Sequence, residues 1–424
     1  MRLVPLAFLG LCSFATAQVN RERFVIIENG WAWTLLFFIL AALTIAALNY
    51  LYGRLTRPGK ALSYALKSVK HLFIWVAIAL TIYPVVYILA ASFNRNNSLA
   101  AVPPQTGSMV FRSGVLPDPA NFALVHYQHI LSETNLHGYQ WLLLALGAAA
   151  GLAFVLLSVT FPATATWLGR LRRLSGYIML LSVIGLVVSI TPDQFYSIGP
   201  EGQHIRASTS GMMVLYIRNT LVVSGMTGLF AVFISTTAGY AFARMRFEGR
   251  YQTLLVFVFV QMFPGFMALV AIFYLMNYLG LLNTFTGLIL AYSGGAIAFS
   301  SWIFKGYLES ISPSLEEAAM VDGTTHWGAF WHIILPTSMP MLLFIFLLQF
   351  IGTYSEFLLA NVLLTGAERW TVGLGLFALA SDGLATRWGT LAASAVLGSL
   401  PILILFYTFQ NALTGQYTAG GVKG

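Results

Sequence analysis

Cysteine is all but missing from this chain. Cys12 stands alone among 424 residues, which excludes an internal disulfide framework and any metal site built on several thiolates. Charge is scarce as well: Asp, Glu, Lys and Arg make up 8% of the sequence, against about a quarter in an ordinary soluble domain. There is no phosphate cradle of the form GxxxxGK[ST], because Arg54 stands where the first glycine should precede Gly59 and Lys60. There is no HExxH either, and the histidines are scattered, with His71, His326 and His332 reading as interfacial or loop residues. The sequence therefore predicts a chain that binds no metal or cofactor and hydrolyses no ATP itself.

What fills the sequence is apolar: 58% of it is hydrophobic, the composition of an all-α integral membrane protein. The 22 Lys and Arg against 14 Asp and Glu give a net charge of +8. These basic residues sit between apolar runs, where they report topology, and no nucleic-acid partner is expected.

A helix needs about 20 mostly apolar residues to cross a bilayer. Nine stretches qualify, at residues 31–52, 72–93, 141–163, 174–191, 213–240, 252–277, 286–304, 341–363 and 391–411. Lys and Arg collect in three clusters: Arg54, Arg57, Lys60, Lys67 and Lys70; Arg170, Arg172 and Arg173; and Arg244, Arg246 and Arg250. Placing all three inside puts residues 94–140, 192–212, 279–285 and 364–390 outside, and residues 305–340 and the C-terminus in the cytoplasm. Ahead of the first crossing, Arg2, the apolar run from Leu3 to Ala15 and the small residues Ala15-Thr16-Ala17 before Gln18 predict a signal peptide over 1–17. An uncleaved hydrophobic segment is the alternative. Cys12 follows Leu11, which does not mark a lipidation site. The stretch 94–140, with Pro103-Pro104 and Pro117-Asp118-Pro119, reads as an extracytoplasmic loop or small subdomain.

Residues 305–340 are long for a connection between late crossings. Ser314 precedes Glu317 by three residues, a capping-box spacing, and Pro313 suits a first turn. A short helix would run through Ala318 and Ala319 to Asp322, Gly323 would end it in the left-handed region, and Thr324 or Thr325 would cap a second helix. There, Trp327, Phe330, Trp331 and Ile334 recur at helical spacing as one apolar stripe. Such a stripe suits a helix lying on the membrane surface or under a bundle.

Glu317-Ala318-Ala319, Gly323 and then Ile333-Ile334-Leu335-Pro336 resemble the EAA loop of ABC-importer permeases at each fixed position. The resemblance implies that residues 316–336 are coupling helices seated in a cleft of a separate ATPase dimer, which uses the ATP and Mg. From about residue 213 the chain also resembles MalG-type permeases of maltose and maltodextrin importers. The resemblance is carried by Arg218-Asn219-Thr220-Leu221, Gly239-Tyr240-Ala241-Phe242-Ala243-Arg244 and the ending Thr418-Ala419-Gly420-Gly421-Val422-Lys423-Gly424.

The family resemblance implies a type I ABC importer transmembrane domain and an inner-membrane location. It also implies a tail, Gly420 to Gly424, that reaches the ATPase, a MalF-type companion permease and an extracytoplasmic sugar-binding protein probed by 364–390. Six spans match that core, at 72–93 and within 213–411 with coupling loop 305–340, followed by a cytoplasmic tail at 412–424. Residues 18–60 and the pair within 94–212 are additional. Glu356 is the conspicuous carboxylate inside a predicted crossing, with Tyr354, Ser355 and Asn361 near it. It suits a pathway site, or a carboxylate hydrated or paired at the span's outer end. Gln261 and Pro264 suit a kink. Transport of another oligosaccharide or a polyol, and a secondary transporter or scaffold without an ATPase, are the competing readings.

Overall fold

The computed structural model describes residues 30–95, 116, 119, 121–160, 166–198, 200, 203–262, 264–381 and 386–413. The expected signal peptide with Cys12, Pro103-Pro104, Asp118 and the tail from Gly420 to Gly424 lie outside them. The chain divides into two compact units, Met1–Ala123 and Leu124–Gly424.

The first unit is a helical hairpin, α1 (Gly30–Thr56) and α2 (Ala61–Ser92), joined by a tight turn at Pro58–Lys60. Proline at the start of that turn supplies the φ it needs. A Cβ on Gly53 would sit 2.9 Å from the Ala61 Cα, so glycine is what lets the helices meet there. Leu55, Phe73 and Leu80 point outward, as helices do when the surrounding solvent is hydrocarbon. The crossing expected from 72 begins earlier, because Ala61 to His71 continue the helix through Lys67 and Lys70, straight-chain residues that cost a helix little.

The second unit opens with α3 (Val125–Ser132) and a hairpin of α4 (Gly138–Thr160) and α5 (Thr166–Ser189). Gly147 faces Ser182, Gly151 faces Met179 and Gly185 faces Leu143, the small-residue contact by which membrane helices approach closely. The amides of Gln140 and Gln194 bond each other inside the protein at 3.1 and 3.3 Å. Arg170, Arg172 and Arg173 lie on α5 rather than in a loop, where long stems can carry their charges to the interface. A short antiparallel ribbon, β1 (Tyr196–Ile198) with β2 (His204–Arg206), follows; nothing in the hydropathy signalled it.

The rest is α6 (Met213–Arg244), α7 (Arg250–Met262), α8 (Gly265–Tyr278), α9 (Phe285–Glu309), α10 (Ser314–Val321), α11 (His326–Ala329), α12 (Met339–Ser355), α13 (Leu358–Leu363), α14 (Val372–Ala380) and α15 (Trp388–Leu413). The long α6 packs against α9, α12, α14 and α15. Its buried face includes Asn219, Thr220, Ser224, Thr227, Ser235 and Thr236 beside apolar residues such as Leu215, Val223 and Ala231, and a Cβ on Gly239 would come within 3.1 Å of the Ser301 carbonyl oxygen. Small residues there bring α6 and α9 into backbone contact.

Among the described residues seven helices are long and apolar enough to cross a membrane. Two of the nine expected crossings are not straight. α7 and α8 meet at 102°, with Pro264 leading α8 and removing a helix donor. The stretch 341–363 is interrupted after Ser355: Glu356 is extended at ψ 139° and α13 restarts at Leu358.

Candidate functional site

The loop after α9 is built as two short helices around a glycine hinge. α10 starts at Ser314 with Pro313 as its N-cap, already helical at φ −61° and ψ −20°, and no side chain caps it. The expected capping box therefore does not form. Proline's fixed φ starts the helix one residue early, leaving Ser314 in the first turn with its hydroxyl 2.8 Å from that of Ser312. Gly323 has φ +89°, the left-handed region where a side chain is costly. Thr325 caps α11 by accepting from the Gly328 N–H at 3.1 Å, while Thr324 donates to the Ala319 carbonyl at 2.7 Å.

The apolar stripe divides. Phe330 and Ile334 are each 1% exposed and pack with Tyr240, Phe304 and Leu308. Trp327, 57% exposed, and Trp331, 40% exposed, remain outside, although both rings touch Phe330. Phe330 to Ile334 form a π turn, whose wider hydrogen-bonding loop changes the angular spacing assumed for an α-helix. Ala319 is buried and Ile333 and Leu335 are half-buried, whereas Glu317, Ala318, Gly323 and Pro336 are exposed. Glu317 and Ala318 thus share an open edge with Leu315 and with Val321, 87% exposed.

The neighbour of Glu317 is the buried one. The Glu316 carboxylate accepts from Arg244 Nε at 2.7 Å, with their side chains 5% and 12% exposed. Arg244 Nη2 donates to the Ile311 carbonyl at 3.0 Å. The Tyr240 hydroxyl lies 3.1 Å from Glu316 Oε2 and 3.3 Å from the His326 carbonyl oxygen, and its ring centroid is 4.9 Å from that of Phe330. Tyr240 and Arg244, one turn apart at the end of α6, thereby hold Ile311 ahead of α10, α10 itself and the start of α11. Sequence reading singled out Glu317 and missed Glu316. The available signal was that adjacent helical residues point about 100° apart, so only one of two neighbouring glutamates could face the bundle.

At the opposite end of α6, Asn219 Nδ2 donates to the carbonyls of Glu368 and Trp370 at 2.9 and 3.0 Å. Thr220 Oγ1 accepts from the Val372 N–H at 2.8 Å. Arg218 Nε donates to the Val187 carbonyl at 3.2 Å and so ties α5 to α6. Asn283, at φ +55°, accepts from the Thr365 and Gly366 amides at 3.2 and 2.9 Å. These residues fix the segment 364–372.

Glu356 lies at a break between helices rather than within a crossing helix. Its carboxylate accepts from the Leu359 N–H at 3.0 Å, starting α13, and from the Tyr292 hydroxyl. Asn361 is on the exposed side of α13. The Gln261 amide donates to the Gly295 carbonyl at 3.0 Å, joining α7 to α9 beside the bend.

The family described as "Binding-protein-dependent transport system inner membrane component" matches residues 212–416. The maltose/maltodextrin transport system permease protein MalG of Vibrio vulnificus is 34% identical over 374 residues, covering 86% of this chain and 98% of the relative. The same-named protein of Yersinia pestis is 36% identical over 289 residues, covering 60% and 95%. That of Escherichia coli K12 is 42% identical over 218 residues, covering 50% and 73%. In fold, the chain is similar to a bacterial ABC transporter involved in the import of the acidic polysaccharide alginate, with TM-score 0.52 and 19% identity over 81% of this chain and 94% of that one.

Proposed function

Because this chain belongs to the MalG-type permeases among the binding-protein-dependent transport system inner membrane components, we propose that it passes maltose or maltodextrin, with trehalose as a further candidate, across the inner membrane. It is a multi-pass permease subunit of an ABC-type sugar importer. Its companions are a MalF-type permease, an ATPase dimer that binds and consumes ATP with Mg, and an extracytoplasmic sugar-binding protein. The 305–340 loop and the C-terminus face the cytoplasm. Substrate moves by alternating access: closure of the ATPase dimer displaces the coupling loop, and the pore changes the side to which it opens.

The observation that carries the coupling assignment is the two-sided loop at 310–337. One side is tied to α6 by Glu316, Phe330 and Ile334, and the other presents Glu317, Ala318 and Gly323 outward. A short helix held on one face and open on the other can receive a push without absorbing it. The tail from Gly420 to Gly424 extends this contact with the ATPase, and Glu356 and Asn361 are the pathway candidates.

Two measurements test the proposal. Glu317→Lys, or Gly323→Asp through the negative charge it sets on the exposed edge, should abolish co-purification of the ATPase while the permease still accumulates in the membrane; unchanged assembly and uptake in both would refute the coupling site. ATP hydrolysis by the reconstituted complex should rise when the binding protein carries maltose, maltodextrin or trehalose. Failure of all three sugars would overturn the substrate assignment.

A further inference from the structure

We infer that α6 is a strut that makes the 310–337 loop and the 364–372 segment move together, with Tyr240, Arg244 and Glu316 as positioning residues at one end and Asn219 and Thr220 at the other. The inference rests on the permease reading and adds to it a physical link between the two faces of the protein.

Three features support it. First, both ends of one helix grip the backbone of a connecting segment. At the first end Arg244 holds the Ile311 carbonyl and the Tyr240 hydroxyl faces the His326 carbonyl. At the other, Asn219 and Thr220 hold Glu368, Trp370 and Val372. Second, three of the gripping side chains are buried, with Asn219, Thr220 and Tyr240 at most 2% exposed, and Arg244 is 12% exposed. A buried hydrogen bond tolerates only a few tenths of an ångström before it is lost, and its groups then have no water to turn to. Neither segment can shift by an ångström unless α6 follows or these bonds break. Third, α6 is continuous from Met213 to Arg244 and its sequence contains no proline. Asn219 and Arg244 lie roughly 38 Å apart along it at 1.5 Å per residue, and close contacts of Gly228 with Phe346 and of Gly239 with Phe304 hold its flank. The broken helices α7–α8 and α12–α13 can bend at their interruptions; α6 transmits.

The test uses the complete complex in proteoliposomes, with maltose-loaded binding protein outside and ATP on the ATPase side, and reads sugar moved per ATP hydrolysed. That ratio does not depend on how much complex assembles, so a purely structural role would leave it unchanged. Tyr240→Phe, Glu316→Gln and Asn219→Ala should each lower it by roughly threefold or more. The double variant Tyr240→Phe/Asn219→Ala should be no worse than the worse of its two parents, because both interrupt one link. Should Asn219→Ala or Glu316→Gln not assemble, Tyr240→Phe decides alone, since it removes one oxygen and keeps the ring on Phe330. Wild-type ratios in the variants, or a double effect equal to the product of the singles, would overturn the strut. A wild-type complex whose ATP hydrolysis ignores every loaded binding protein would instead overturn the permease reading, and the strut with it.

Discussion

Arg244→Met should destabilise the permease by about 3–5 kcal/mol, the usual consequence of removing one partner from a buried ion pair. The structure shows where that cost arises. Glu316, with its side chain 5% exposed, would lose the 2.7 Å bond from Arg244 Nε and keep only the Tyr240 hydroxyl at 3.1 Å. The Ile311 carbonyl would lose its 3.0 Å donor as well, worth about 0.5–1.5 kcal/mol. Methionine fills much of the arginine volume, so cavity formation contributes little and the electrostatic loss dominates. Restoring neutrality should recover most of the loss: Arg244→Met/Glu316→Leu should be more stable than Arg244→Met alone, because an apolar pair in a buried site is often neutral relative to the ion pair it replaces. Lys305→Met is the control, since its pair with Glu309 is an i,i+4 contact with a partner 46% exposed, worth about 0.3–0.5 kcal/mol. Unfolding in mixed detergent micelles measures all four proteins. An Arg244→Met change no larger than that of Lys305→Met would refute the claim that this pair is buried and holds the loop.

Gly323→Asn should assemble with the ATPase close to normally and Gly323→Val should not, because φ +89° costs a β-branched residue of the order of 1–2 kcal/mol while the space around the position is open; equal pull-down of both would show that the left-handed turn is not required. Glu356→Gln should keep the stability of wild type more nearly than Glu356→Ala, which loses the acceptor at the start of α13 at a cost of about 0.5–2 kcal/mol; thermal unfolding of the purified protein decides, and equal losses would refute the capping role. Gln140→Leu should destabilise the α4–α5 hairpin by about 1–3 kcal/mol through the stranded Gln194 amide. Gln140→Leu/Gln194→Leu should recover part of this, and a strictly additive pair would contradict the amide exchange.

The crossings were legible because a bilayer imposes one requirement, a long apolar run, that any order of Leu, Val, Phe and Ala satisfies. That same tolerance hides breaks. The run 341–363 reads as one helix, yet a carboxylate facing Tyr292 and the Leu359 amide gains more by ending α12 and starting α13 than by hanging in a continuous helix without partners. Hydropathy weighs Glu356 as one polar residue in an apolar window and carries no information about who receives its charge. Ser314 shows the corresponding limit of local motifs. Its spacing to Glu317 satisfies the capping pattern, but Pro313 is already at φ −61° and takes the first helical turn one residue ahead of it.

Glu316 and Glu317 set the boundary most sharply. Motif spacing singles out Glu317, which is exposed on α10; under the proposed coupling role it would meet the ATPase from a fixed place along the chain, and a fixed place is what spacing records. Glu316 meets its partner inside the same chain, 72 residues back at Arg244, through a contact that depends on where α6 ends relative to α10. No window short enough to recognise the loop contains both. The paired arrangement follows once the two helices are placed: adjacent positions on α10 diverge by about 100°, so facing one glutamate to a partner outside turns the other toward the bundle. A buried carboxylate there needs a cation, and among the described residues Arg244 is the one ion-paired with it. The exposed edge of the loop and its internal anchor are therefore one geometric consequence. Moving the pair of glutamates by two positions along α10, for example by inserting two alanines after Leu315 so that alanine occupies both places, should remove both contacts together, with loss of ATPase co-purification and of folded permease; retention of either function would separate the anchor from the docking edge and contradict the argument.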